Sequence, residues 1–195
     1  MSGDGLEIER KFLVELTSDP AAVDGARILT IRQDYLVDVG TGTRRVRRTE
    51  EASDVRYHQT SKVAVAPGIR LEDEREIDEA EWTRYLTEAD PASQSIAKTR
   101  YAIPGPDGRT WEIDVFDGAL AGLVVAEVEL ESAEALAEEA TPPPCIRLVA
   151  DVTDDGRYTN AALARLSLDR PWIAQPGAVR RVQDARQRGG ERPER

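Results

Sequence analysis

The chain has 195 residues, 40% hydrophobic and 32% charged, with a formal net charge of −11. Such length and composition suit one folded domain with a sizeable core, not a disordered chain, and no apolar run approaches the roughly 20 residues of a membrane-spanning helix. The acidic balance argues against nonspecific nucleic-acid binding; the single cysteine, Cys145, excludes an internal disulfide and fits a reducing cytoplasm, and the first residues carry no secretory signal.

The charge is unevenly placed. From Ala174 onward six Arg stand against Asp184, Glu191 and Glu194, a local balance of +3 that leaves the body near −14. The expected organisation is one domain over residues 1–172 and a basic tail without fixed structure over 173–195.

In chain order, Glu7 to Val14 reads as a strand with Glu7, Glu9 and Lys11 on one face and Ile8, Phe12 and Val14 on the other, interrupted by Arg10. A turn-rich stretch from Asp19-Pro20 to Asp24-Gly25 with a short helical turn precedes a strand over Ile28 to Val37. Gly40 to Thr43 turns the chain into Arg44 to Thr49, whose Arg45 and Arg47 share a face. Glu50 to Asp54 is a polar turn into Val55 to Lys62, where Thr60 and Lys62 share a face. After Pro67-Gly68, Ile69 to Ile77 carries Arg70, Glu72, Glu74 and Glu76 at period two. Asp78, with Glu81 three residues on, predicts a helix over about Glu79 to Ala89, with Trp82, Tyr85 and Leu86 on its apolar face. Lys98 to Ile103, with Lys98 and Arg100 on one face, makes a hairpin through Pro104 to Gly108 with Thr110 to Phe116, which places Glu112 and Asp114 together. Gly118 to Gly122 turns into Leu123 to Leu130, carrying Glu127 and Glu129. Ser132 caps a predicted short helix through Ala140, ended by Pro142-Pro143-Pro144. Asp151 to Gly156 reads as a loop, and Thr159 or Asn160 caps a last helix through Leu168 with Leu163 and Leu166 inward; Pro171 ends the body.

The recurring feature is a charged pair at period two on strand after strand, with apolar residues opposite. A sheet facing solvent shows the same alternation. Three amphipathic helices, however, need an apolar sheet surface to cover, and only the uncharged face offers one. If the sheet closes as a barrel with helices outside, the charges line its lumen. Buried charges need partners. Arg and Lys match phosphate oxygens, and carboxylates match Mg²⁺ or Mn²⁺, so such a lumen suits a metal-bound polyanion.

The E-x-E-x-K stretch EIERKFLV resembles the opening motif of the CYTH superfamily, the triphosphate tunnel metalloenzymes. So do, in order, QDYL at Gln33 to Leu36, RVR at Arg45 to Arg47, Y-x-x-T-x-K from Tyr57 to Lys62 and R-x-E-x-E from Arg70 to Glu74. They are followed by KTRY from Lys98, WEIDVF from Trp111, AEVEL from Ala126, and DVT with RYTNAALA near the end. The similarity spans Leu6 to Leu168 and is nearest to the small bacterial branch that hydrolyses inorganic tripolyphosphate. It implies an α+β fold: an eight-stranded antiparallel closed β-barrel with helices packed outside. It further implies that Lys11, Arg45, Arg47, Lys62, Arg70, Lys98 and Arg100 bind phosphate, and that Glu7, Glu9, Glu72, Glu74, Asp114, Glu127 and Glu129 serve the metal, Mg²⁺ or Mn²⁺. Three departures stand out: Gln59 and Ser61 at outward positions, Pro-Pro-Pro leading into Cys145-Ile146-Arg147 where the family often has a Trp-Gly pair, and Asp151 where a Glu is usual.

The expected reaction is metal-assisted hydrolysis of a terminal phosphoanhydride. Lys11, beside Glu7 and Glu9, polarises the terminal phosphate, and Tyr35 is either a tunnel contact or core packing. His58, the single histidine, reads as a partly exposed strand residue and Cys145 as a loop residue rather than a nucleophile; no Walker-type phosphate loop is present. Alternatives on the same chamber are thiamine triphosphate hydrolysis, class IV-type adenylate cyclisation and a noncatalytic polyphosphate binder. A third class, a solvated sheet that binds another protein, predicts no response to these ligands. The expected partner is a small triphosphate-containing polyanion, with no nucleic acid or membrane; a homodimer is left open.

Overall fold

In the computed structural model, residues 5–37 and 42–166 are described. Nine strands follow one another as β1 Gly5–Leu16, β2 Arg27–Tyr35, β3 Thr43–Glu51, β4 Asp54–Ala66, β5 Ile69–Ile77, β6 Ile96–Pro104, β7 Thr110–Phe116, β8 Val124–Glu129 and β9 Ile146–Asp151. Two helices, α1 Glu79–Leu86 and α2 Asn160–Ala164, and a few 3₁₀ turns complete the described chain. The antiparallel order is β5-β4-β3-β2-β6-β7-β8-β1, and β5 pairs back onto β1, with Glu7 opposite Arg70. Eight strands therefore close a barrel, which removes both sheet edges. The ninth strand lies outside the ring, against the second half of β1.

One side of β1 pairs with β8, while its other side meets β5 early and β9 late, with a register shift at Leu13/Val14. The gap between is bridged by single hydrogen bonds. Glu9 N–H donates to the Gly68 carbonyl (3.0 Å), and Lys11 N–H donates to Thr153 Oγ1 (3.0 Å). Gly68 has φ +70°, and a Cβ there would lie 3.0 Å from both the Glu9 carbonyl oxygen and Thr153 Cγ2, so only glycine lets this turn approach the strand.

Apolar residues of the outer faces gather into clusters, while β2, β3 and β5 also carry outward charges such as Arg32, Arg44 and Arg75. Phe12, Trp111, Ile113, Val124 and Val128 pack together on the β1–β8–β7 side, with the Phe12 and Trp111 rings stacked at 5.6 Å. Their cover comes from Leu136 of the 3₁₀ segment, from Cys145 just before β9 and from Ile146 of β9, rather than from a helix. Across the barrel, Leu36, Val46 and Ile77 are covered by Trp82, Tyr85 and Leu86 of α1. A third cluster sits at one end of the lumen. Leu13, Tyr35, Ile96, Phe116 and Val125, each two residues beyond a polar lumen position, pack with Leu163 and Ala164 of α2. These strands change from polar to apolar on the same face as they reach α2.

Several expectations need correction. The helix expected from Ser132 to Ala140 is a single 3₁₀ turn, Glu134–Ala137, whose N-cap is Ala133. Its four residues hold only one turn before the prolines, whose missing N–H groups exclude helix. The stretch leading from Cys145 to Asp151 holds a strand that alternation did not reveal, because its outer residues are exposed on both sides of the pattern. α1 stops at Leu86, with Thr87 as its C-cap, short of Ala89. The polar turn expected over Glu50 to Asp54 narrows to Ala52 and Ser53, since β3 runs to Glu51 and β4 starts at Asp54. Thr159 is the N-cap of α2, its side chain accepting from Ala162 N–H; the expected end at Leu168, the boundary at 172 and the basic tail lie outside the described residues. Gln59, expected to spoil the outer face of β4, is buried and donates to Ser61 Oγ at 3.0 Å, so the two polar residues satisfy one another.

Candidate active site

Because side chains alternate along a strand, the closed barrel turns the recurring charged face of most strands into its interior. A cavity of about 910 Å³ is lined by Glu7, Glu9 and Lys11 of β1, Arg45 and Arg47 of β3, Lys62 of β4, and Arg70, Glu72 and Glu74 of β5. Lys98 and Arg100 of β6, Glu112 of β7 and Glu127 and Glu129 of β8 complete the ring. β2 contributes no charge: its lumen residues are Gln33 and Tyr35, and Gln33 Nε2 lies 3.3 Å from the Tyr35 hydroxyl. Tyr35 thus both faces the chamber and belongs to the apolar cluster at its end.

The two signs neutralise each other in specific pairs. Lys11 Nζ lies 2.8 Å from Glu127 and 3.6 Å from Glu9. Arg70 holds the same Glu9. Lys62 bridges Glu7 and Glu72, at 2.7 Å each. Arg47 reaches Glu74 at 3.0 Å, and Thr60 Oγ1 donates to that carboxylate at 2.8 Å. Arg100 gathers Glu112, Asp114 (2.7 Å) and Glu127 (2.9 Å). Asp114 is placed behind the basic residues rather than on the cavity wall. It is 1% exposed, and both of its oxygens are taken by Arg100 and Lys98.

Protonation follows from this wiring. Burial opposes ionisation of Lys11 and Glu127, but each overcomes it through the other: Lys11 is held above its ordinary value by Glu127 and Glu9, and Glu127 well below its own by Lys11 and Arg100. Burial and the neighbouring Arg100 bring Lys98 down to about 8 despite Asp114. Burial also raises the Tyr35 phenol, opposed by the nearby Arg45.

Two features point to ligands of opposite sign. The buried Nε atoms of Arg45 and Arg47 have no hydrogen-bond partner. Glu129 forms no ion pair with a described residue, and burial followed by the charges of Glu7, Glu112 and Glu9 raises its pKa. Among the described residues no three carboxylates converge closely enough to hold a metal as they stand, because most are turned onto Lys or Arg. Their chemistry is nonetheless that of a hard-cation site: hard oxygen donors, one of them repelled by its neighbours.

Sequence reading missed Gln33, and missed the hairpin and α2 contributions of Arg109, Thr110 and Asn160 to the chamber wall. The alternation of β2 hides Gln33 among uncharged residues, and loop residues carry no periodic signal. Cys145 is buried 1% exposed in the outer core, which agrees with packing and not catalysis.

No family model matches the chain. An inorganic triphosphatase of Nitrosomonas europaea is 36% identical over 160 residues, 81% of this chain and 96% of that protein. One from Acetivibrio thermocellus is 35% identical over 165 residues, 83% of this chain and 94% of that protein. A crystal structure of an inorganic triphosphatase superposes with a TM-score of 0.56 at 33% identity, over 83% of this chain and 95% of that one. A Pyrococcus horikoshii protein shares the fold alone, with a TM-score of 0.51 at 19% identity over 67% of this chain and 81% of that one.

Proposed function

The chain belongs to the CYTH superfamily of triphosphate tunnel proteins, beside the inorganic triphosphatases, and we propose from that premise that it hydrolyses the terminal phosphoanhydride of inorganic triphosphate within the barrel. The observation that carries this reading is the lumen itself, where cations and carboxylates from all but one barrel strand meet and most of them are paired with each other.

Arg45, Arg47, Lys62, Arg70, Lys98 and Arg100 bind the phosphates, and Lys11 polarises the terminal one. Each of these except Arg45 holds a carboxylate in the empty barrel, so a triphosphate enters by exchanging partners: phosphate oxygens take the cations, and the released carboxylates become free. Glu7, Glu9, Glu72, Glu74, Glu127 and Glu129 would then hold Mg²⁺ or Mn²⁺, which would offset the charge of the chain and acidify the attacking water. Asp114 stays with Lys98 and Arg100 and keeps both aimed at the substrate. Tyr35, beside Arg45 at the apolar end, fixes the terminal phosphate. Water attacks the terminal phosphorus in line, the bridging P–O bond breaks, and orthophosphate and pyrophosphate result. No helix among the described residues is long and apolar enough to cross a membrane. The buried, unpaired Cys145 thiol agrees with a reducing cytoplasm.

The test is phosphate release from tripolyphosphate, ATP and thiamine triphosphate, each with Mg²⁺, Mn²⁺ or EDTA, beside Glu7→Gln/Glu9→Gln. Metal-dependent release that is fastest with tripolyphosphate and lost in the double variant is expected. Faster release from thiamine triphosphate, or cyclic nucleotide from ATP, would move the activity to another triphosphate; binding without turnover would make the barrel a polyphosphate-binding protein.

A further inference from the structure

A second, smaller cavity of about 280 Å³ adjoins the main chamber. Arg47, Glu74, Arg100 and Glu112 line both, so two ion pairs form the screen between them. Beyond that screen the wall is built from the far ends of β2, β3 and β4, where Leu29, Ile31, Thr49 and His58 face inward.

The electrostatics of this space differ from those of the main chamber. Every carboxylate on its wall is already matched by an arginine: Glu51 with Arg27 at 2.7 Å, Asp54 with Arg56 at 2.8 Å, Glu74 with Arg47 at 3.0 Å, and Glu112 with Arg100. No carboxylate is left over for a divalent cation. Two buried nitrogens are left over instead. Arg47 Nε and His58 Nδ1 have no hydrogen-bond partner, and the two residues lie directly opposite each other in the β3–β4 register. A buried polar atom without a partner costs free energy that a ligand recovers.

We propose that this second chamber binds metal-free orthophosphate, the small product of the hydrolysis described above, on which this assignment of the occupant rests. Orthophosphate presents acceptor oxygens to the arginine and, when protonated, an O–H to a neutral imidazole, which matches the unspent pair. The chamber has less than a third of the volume of the first. The chamber adjoins the main one at Arg47 and Arg100, so orthophosphate formed beside Lys11 and Tyr35 enters it by passing between those two side chains.

The test titrates inorganic phosphate into the full-length, metal-free protein by calorimetry, alone and after saturation with a non-hydrolysable imidotriphosphate. Phosphate is expected to bind in both states, more weakly in the second, where Arg47 and Arg100 are shared with the triphosphate. Binding is expected to weaken at least tenfold in Thr49→Phe, which fills the chamber, and in His58→Leu, which removes the ring nitrogens. Thermal melts identify a variant that has lost its fold, and Leu29→Trp, which fills the same space from β2, then replaces it. Phosphate binding that vanishes once imidotriphosphate is bound, or that survives the substitutions, overturns the proposal. Failure of the wild type to bind imidotriphosphate at all would instead sink the triphosphatase reading, while phosphate binding sensitive to the substitutions would still support the second site.

Discussion

Replacing Asp114 with Asn removes one charge from the most deeply buried part of the site while keeping the shape of the side chain. In the wild type its two oxygens meet Lys98 and the Nε and NH2 groups of Arg100. The Lys98 part of the loss is capped. With a pKa already down at about 8 before the change, Lys98 can escape at pH 7 by losing its proton for about 1.4 kcal/mol per unit. Arg100 has no such escape, since guanidinium does not deprotonate in proteins. It keeps Glu112 and Glu127 but loses a paired contact, and charge-assisted hydrogen bonds contribute about 1.5–3 kcal/mol each. The combined cost is about 3–4 kcal/mol, within the range for breaking a buried pair. For a chain of this size that lowers Tm by about 6–16 °C. The assay is urea and thermal unfolding without metal, with and without saturating tripolyphosphate. Because the polyanion supplies the missing counter-charge, most of the deficit should disappear when it is bound. A loss below about 1 kcal/mol, or a deficit that tripolyphosphate leaves unchanged, would refute the view that Asp114 serves as the counter-charge of Lys98 and Arg100.

Lys98 sets a pH dependence. Its folded pKa of about 8 lies below its ordinary 10.5, so between these values the unfolded chain binds more protons and stability rises with pH, the cost being fully present below 8. Binding runs the other way: kcat/KM for tripolyphosphate should fall about tenfold per pH unit above about 8, and Lys98→Arg should flatten that limb in a pH–rate profile. Glu129 is held protonated more readily than an ordinary Glu, so its charge destabilises the empty barrel as pH rises. Glu129→Gln should therefore raise Tm in EDTA yet reduce the Tm gain on adding Mn²⁺, read by scanning fluorimetry at neutral pH. Outside the chamber, Trp111→Ala should cost about 3–5 kcal/mol in urea unfolding, because the ring is fully buried and stacks on Phe12.

Most barrel strands were legible because they carry a charged pair on one face and apolar residues on the other, a period-two signal that survives without any knowledge of neighbours. The stretch from Cys145 to Asp151 lacks that signal. Of its strand only Ile146 is buried, and it is held as a strand by pairing with β1, a partner more than a hundred residues away. The helix expected after Ser132 failed for the complementary reason: its alanines and glutamates favour helix locally, but Ala135 and Leu136 are needed against the outer core, and the prolines that follow leave room for one turn. Within the site, charged residues on strands were found by alternation, whereas the uncharged Gln33 and Thr110 and the residues on loops were not. Gln33 and the roles of Arg47 and His58 in a second cavity depend on what lies across the lumen.

Composition and alternation by themselves determined that a charged face backs an apolar one through most of the chain, and hence which side chains share the chamber. Which of the two faces points inward could not be read from periodicity, since solvent and lumen impose the same period on a strand. Closure of β5 onto β1 decided it, because a closed sheet has only one interior. Partner choice was also a tertiary decision. Asp114 and Glu112 alternate identically on β7, yet Glu112 stands on the wall and Asp114 behind Lys98 and Arg100, for a buried carboxylate is tolerated only where cations from a neighbouring strand surround it.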